Sequence, residues 1–142
     1  MSLFLPIERT KEINTYKIWE KATSFGAQVA VPKINRKTEE MKHLLFETED
    51  QLEISDWGIP EPSKGRVIAA EHFDIVIVPL LVADKGGNRV GYGKGYYDKY
   101  LTNKNVVTVG VCYDFQVVDE LPKENHDVKL DILITDKSIY RW

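Results

Sequence analysis

Residues 86–98 read Gly, Gly, Asn, Arg, Val, Gly, Tyr, Gly, Lys, Gly, Tyr, Tyr, Asp. Gly91, Gly93 and Gly95 alternate with other residues, and the cations Arg89 and Lys94 stand among them. Glycine turns a backbone tightly and presents bare N–H groups without a Cβ in the way. Where such a loop runs into a helix N-terminus, further N–H donors and a favourable dipole suit an anion, most often phosphate. Asp98 falls in the first turn of the expected helix, where an acid complements the dipole. Beside a bound polyphosphate that carboxylate is repelled unless a divalent cation lies between them. Mg²⁺, held by one or two carboxylates plus phosphate oxygens, is the natural bridge. The pattern is neither a Walker A loop nor the dinucleotide Gly-x-Gly-x-x-Gly.

Other side chains are weighed in the same way. Lys94 reaches whatever the glycines cradle, and its bland alternative is an exposed loop lysine. Arg89 can fork onto a phosphate or pair with Asp84. Tyr96 and Tyr97 project about 100° apart on a helix, one to pack on the sheet and one to face a ligand. Trp57, in a loop locked by Pro60 and Pro62, is a candidate for stacking on a flat heterocycle or for lidding the core. Asp127 precedes the last apolar strand, either organising a turn or completing a cation site with Asp98. His43, His72 and His126 lack metal-ligand spacing, and no Ser-His-Asp or Cys-His constellation points to covalent catalysis.

The elements that must position these groups follow from periodicity. Residues 73–82 form a near-continuous apolar run, the pattern of a strand buried on both faces. A central strand over 75–79, the glycine loop and a short helix over 96–101 follow one another, which places a ligand at strand C-termini. Upstream, residues 2–6 read as a short strand and residues 12–25 as a helix, capped by Asn14 or Thr15 and stopped by Gly26. Strands are expected over 28–31, ended by Pro32, and over 42–47, with a helical turn in 49–54. Residues 57–63 read as a Pro-fixed loop. Inner strands over 106–111 and 131–135 and an edge strand over 139–142 complete an α/β layered fold with a parallel or mixed sheet.

At 142 residues the chain is expected to form a single domain over residues 1–142, long enough to bury its own core. A net charge of −3 argues against a general nucleic-acid role, so no nucleic-acid partner is expected. The single Cys112 rules out an internal disulfide framework and a cysteine-rich zinc site, and its apolar surroundings predict a buried, inert thiol. No stretch has membrane-spanning length and no signal core opens the chain. A cytoplasmic location without a membrane partner is the expectation.

The string from Asn88 to Asp98 resembles the signature of the 5-formyltetrahydrofolate cyclo-ligase family. The resemblance runs from residue 2 to about 136. It takes in Phe4, Leu5 and Pro6 with Glu12 to Thr15, then Val31 and Pro32, Trp57 to Pro62, residues 74–79 and residues 84–101. Pro122, Glu124, His126 and Asp127 and residues 131–135 follow in order. It implies a three-layer αβα fold of the NagB/RpiA/CoA-transferase kind. It also implies a monomeric ligase of one-carbon metabolism that converts 5-formyltetrahydrofolate to 5,10-methenyltetrahydrofolate with ATP and Mg²⁺.

Residue by residue, the resemblance assigns ATP to Arg89, Val90, Gly91, Tyr92, Gly93, Lys94, Gly95, Tyr96 and Tyr97, with Arg89 and Lys94 catalytic. It assigns the folate to Leu5, Glu12 and Trp57 together with Tyr92, Gly93, Lys94, Gly95 and Tyr96, and Mg²⁺ to Asp98 and Asp127. Two departures stand out. Family members carry a further N-terminal helical segment whose Lys and Arg contact the nucleotide, and here the first strand is expected almost at residue 1. The turn between Leu5 and Glu12 is also longer than in typical members. A nucleotide- or folate-binding relative without turnover is the competing reading, and a sugar-phosphate isomerase or transferase on a similar fold a weaker third.

Overall fold

The computed structural model describes residues 1–142 except Glu8, Arg9, Lys11, Trp57 and Lys123. The chain forms two compact units, Met1–Phe73 and Asp74–Trp142. Among the described residues no helix is long and apolar enough to cross a membrane.

The first unit opens with residues 1–6, which make a single parallel bridge, Ser2 to Ala30, instead of a full strand. Helix α1 (Tyr16–Ser24) follows. Thr15 occupies its N-cap position, but its hydroxyl donates to the Phe4 carbonyl at 2.6 Å, so the cap residue ties the helix to the opening segment. Gly26, at φ 81°, follows the helix end as expected. Trp19 packs on Phe46 with ring centroids 4.8 Å apart.

Strands β1 (Ala30–Asn35) and β2 (Glu40–Leu45) pair antiparallel, and β5 (Val67–Ile68) joins the far side of β2. The sequence reading ended the first of these strands at Pro32, but β1 runs through it. Pro32 lies on an edge strand of this three-stranded sheet, where a missing N–H is tolerated. A 3₁₀ turn over Glu49–Gln51 leads into β3 (Leu52–Ile54), which pairs with β4 (Pro60–Pro62). Part of the expected Pro-fixed loop is therefore a short strand. The core of the unit collects Leu3, Phe4, Leu5, Val29, Val31, Leu44, Phe46 and Phe73, all buried.

The second unit is built on β6 (Ile75–Val78), β9 (Val107–Val111), β11 (Ile132–Ile134) and β12 (Ile139–Arg141), adjacent in the order β12-β11-β9-β6. Strands β6, β9 and β11 run parallel, and β12 runs antiparallel on the far side of β11 from β9. Val76, Ile77 and Val78 are buried, as the apolar run predicts. This mixed sheet agrees with the α/β reading.

The run 73–82 is nevertheless not one strand. Past Pro79, which donates no hydrogen bond, the chain leaves the sheet and forms β7 (Val82–Asp84) and β8 (Arg89–Val90). These two pair as a hairpin, with β10 (Val117–Val118) parallel on the far side of β7. The strand expected to be central, β6, lies at one end of its sheet, and the glycine loop departs from the hairpin and not directly from β6. Helix α2 (Tyr96–Leu101) follows it with the predicted bounds.

Candidate functional site

The site begins at the β7–β8 turn. Asp84 is buried, and its carboxylate accepts hydrogen bonds from the amides of Gly86 (2.8 Å), Asn88 (2.9 Å) and Leu121 (3.0 Å) and from the Asn88 side chain (2.7 Å). Burial pushes its pKa up, but the Asn88 side chain and the three backbone donors outweigh that effect. The carboxyl therefore ionises below its ordinary value. The alternative pairing of Arg89 with Asp84 is excluded by this arrangement, because Asp84 is committed to organising the turn.

Arg89 follows the turn directly and points elsewhere. Its guanidinium donates to Asp98 Oδ1 at 2.9 Å and to the Val128 carbonyl. The Asp98 oxygen also accepts the Val128 amide at 3.0 Å. The Arg89 side chain is only 5% exposed and that of Asp98 22%, so water screens this ion pair less than a surface pair. Asp98 lies in the first turn of α2 as expected. One carboxylate oxygen thus joins three chain segments: the hairpin, α2 and the stretch around Val128.

Between these anchors the loop stands open. Tyr92 and Lys94 are exposed, Tyr96 and Tyr97 are both half-buried, and the Tyr97 hydroxyl is buried. Gly95 is the N-cap of α2 in the left-handed region, at φ 64° and ψ 12°, a conformation that costs a side chain energy. Gly91 has no positive φ, and a Cβ built on it meets nothing within 4 Å. Among the described residues nothing accounts for glycine at that position. Since α2 has only six residues, the loop's own N–H groups matter more than the helix dipole.

Asp127 is half-buried and its Oδ2 accepts the Glu124 amide at 2.7 Å, which is the turn role weighed from sequence. It adjoins Val128, whose amide reaches Asp98. His126 faces Glu124 at 3.2 Å, both exposed. Among the described residues no group of three or more His, Cys, Asp or Glu is placed to hold a metal ion. Asp98 and Asp127 each use one carboxylate oxygen in the bonds above. Two such carboxylates match the donor set of a Mg²⁺ whose remaining ligands are phosphate oxygens.

Of the residues assigned to folate, Leu5 is buried in the first unit, and Glu12 accepts the Ile7 amide at 2.7 Å. Trp57 lies outside the described residues. The structure therefore brings together Arg89, Asp98 and the neighbour of Asp127. Sequence reasoning missed Asp84 as the organiser of the turn and Val128 as the partner of both charges. An acid two residues before a Gly-Gly-Asn run is an Asx-turn signal that could have revealed the first. Val128 acts through its backbone and left no signal.

Residues 1–136 match the 5-formyltetrahydrofolate cyclo-ligase family. A 5-formyltetrahydrofolate cyclo-ligase from Haemophilus influenzae is 33% identical over 130 residues, covering 87% of this chain and 70% of the relative. The NMR structure of an Aquifex aeolicus 5,10-methenyltetrahydrofolate synthetase superposes with a TM-score of 0.82 at 31% identity, over 99% of this chain and 70% of that one. A 5,10-methenyltetrahydrofolate synthetase from Mycoplasma pneumoniae gives a TM-score of 0.69 at 26% identity, over 95% and 73% of the two chains.

Proposed function

The chain belongs to the 5-formyltetrahydrofolate cyclo-ligase family, and from that premise we propose that it converts 5-formyltetrahydrofolate to 5,10-methenyltetrahydrofolate, using ATP and Mg²⁺ and releasing ADP and phosphate. The observation that carries the proposal is the bracing of residues 89–98. Their two ends are fixed by the Arg89–Asp98 pair, while the glycine-rich middle remains open for a ligand. With it goes the expectation that β6, β9 and β11 form the parallel strands of a three-layer αβα domain.

The chemistry asks for little beyond placement. A formamide carbon is a weak electrophile because amide resonance feeds it electrons. Transfer of the γ-phosphoryl of ATP to the formyl oxygen gives an imidoyl phosphate; the neighbouring aryl-amine nitrogen then attacks that carbon, and the C–O bond breaks to expel phosphate. Such a sequence needs positioning and charge neutralisation instead of a protein nucleophile. Lys94, exposed on the loop, would meet the transferring phosphoryl group. Arg89, oriented by Asp98 and Val128, would set the positive field at the loop's base. The N–H groups of Val90 to Tyr97 would line the polyphosphate. Asp98 and Asp127 would hold Mg²⁺, which when bound neutralises phosphate charge. Leu5, Glu12, Trp57 and Tyr96 would contact the folate.

The test mixes purified protein with ATP, Mg²⁺ and 5-formyltetrahydrofolate and follows the near-ultraviolet absorbance of the methenyl product. A rise that depends on both ATP and Mg²⁺ is expected. No rise, together with measurable binding of either substrate, would identify a binding module instead.

A further inference from the structure

Trp142 lies six residues beyond the last that matches the family, yet it touches the turn that delivers Arg89. Its amide donates to the Asp131 carbonyl at 3.1 Å, continuing the β11–β12 pairing. Its indole Nε1–H donates to the Lys85 carbonyl at 3.0 Å. A Cβ on Gly87 would stand 3.1 Å from the indole Cε3 and 3.2 Å from Cδ2, so the ring lies directly on that glycine. Gly87 also holds φ at 84°, which a side chain would strain. Tyr140 stacks on the indole, with planes 6° apart and centroids separated by 6.2 Å.

The same turn is laced to the segment that binds Arg89 and Asp98. The Leu130 amide donates to the Gly87 carbonyl at 2.9 Å, and Lys129 Nζ to the Gly86 carbonyl at 3.1 Å. The Asp84 carboxylate holds the turn from one side; Trp142 holds Lys85 and Gly87 from another. We propose that Trp142 is a positioning residue for the nucleotide-binding segment, closing the turn of residues 84–88 so that Arg89 meets Asp98 and Val128. The inference rests on the reading of residues 89–98 as the ATP site, but its first consequence concerns the free protein.

Trp142→Phe keeps the ring and loses the N–H; Trp142→Ala loses both. In the ligand-free protein, amide hydrogen exchange at Lys85, Gly87 and Asn88 should quicken about threefold in Trp142→Phe, from loss of one hydrogen bond. In Trp142→Ala the increase should be roughly tenfold or more, because the packing goes as well. KM for ATP should rise in the same order and by similar factors, with KM for the folate unchanged. A merely structural role would lower the active fraction, and so the apparent kcat, while leaving KM for ATP alone. Unchanged exchange in both variants, or faster exchange with an unaltered KM for ATP, overturns the proposal. Because the indole is half exposed, Trp142→Phe should fold even if Trp142→Ala does not. Should wild-type protein fail to bind ATP, the nucleotide reading falls, while the exchange result still decides whether Trp142 clamps the turn.

Discussion

Lys94 and Asp98 stand one helical turn apart in sequence, but their surroundings make them different experiments. Lys94 is exposed, so Lys94→Ala should leave the unfolding midpoint unchanged. If the ammonium neutralises transferring phosphoryl charge, turnover should fall about 10²-fold or more; equal turnover in the steady-state absorbance assay would remove it from the reaction. Asp98→Asn has a second effect. The Arg89 guanidinium is nearly excluded from water and takes its countercharge from Asp98. A neutral amide there leaves a buried cation incompletely compensated, at a cost of about 1–3 kcal/mol. Urea titration should therefore show lower stability while a magnesium titration shows a higher requirement. Sequence alone offered Asp98 as a metal ligand or a dipole partner. The ion pair was not legible because Arg89 had two acids within reach in sequence, and only the Asp84 turn, by consuming one, assigns the other.

At the scale of the element, the β7–β8 hairpin explains both what was readable and what was not. Helix α2 was readable because glycine, aromatic residues and an acid succeed one another in the order that starts a helix. Strands of three and two residues carry too little periodicity to be seen, so the hairpin merged into the apolar run before it. Its integrity rests on Asp84, whose carboxylate is the acceptor for three amides and one side-chain amide. Asp84→Ala strands those buried donors and should cost about 2–4 kcal/mol; Asp84→Asn, which keeps one acceptor oxygen but turns a second into a donor, should fall between. The sign with pH is fixed by the lowered pKa. The contribution is complete above the ordinary carboxylate value and fades as pH falls through the depressed one. Acid titration of stability should lose that limb in Asp84→Asn, and an identical acid limb would show that the turn does not depend on the charge.

For the molecule as a whole, the sheet of the second unit was more legible than the strand pairing of the first. Runs such as Ile75–Val78 and Val107–Val111 are rich in β-branched residues and announce themselves as strands. The β1–β2 hairpin hides because Pro32 imitates a terminator and because strand charges face outward along it. It also places His43 opposite Pro32, buried and in edge contact with Phe73 at 5.2 Å. Burial drives the His43 pKa from 6.5 down to about 4. Below pH 6.5 the unfolded chain binds a proton that the folded chain refuses, so stability is full above that value and falls as pH drops toward 4. The shift corresponds to about 3 kcal/mol in all, of which about 2 kcal/mol is lost between pH 7 and pH 5. His72 and His126 are both exposed, which leaves His43 as the histidine whose burial sets this slope. His43→Leu keeps an apolar side chain of similar size at the site without a titrating ring. Urea unfolding followed through Trp19, which packs on Phe46 in the same unit, should show the wild-type midpoint falling from pH 7 to pH 5 while that of His43→Leu stays nearly level. Parallel pH profiles for the two proteins would place the dependence elsewhere in the chain.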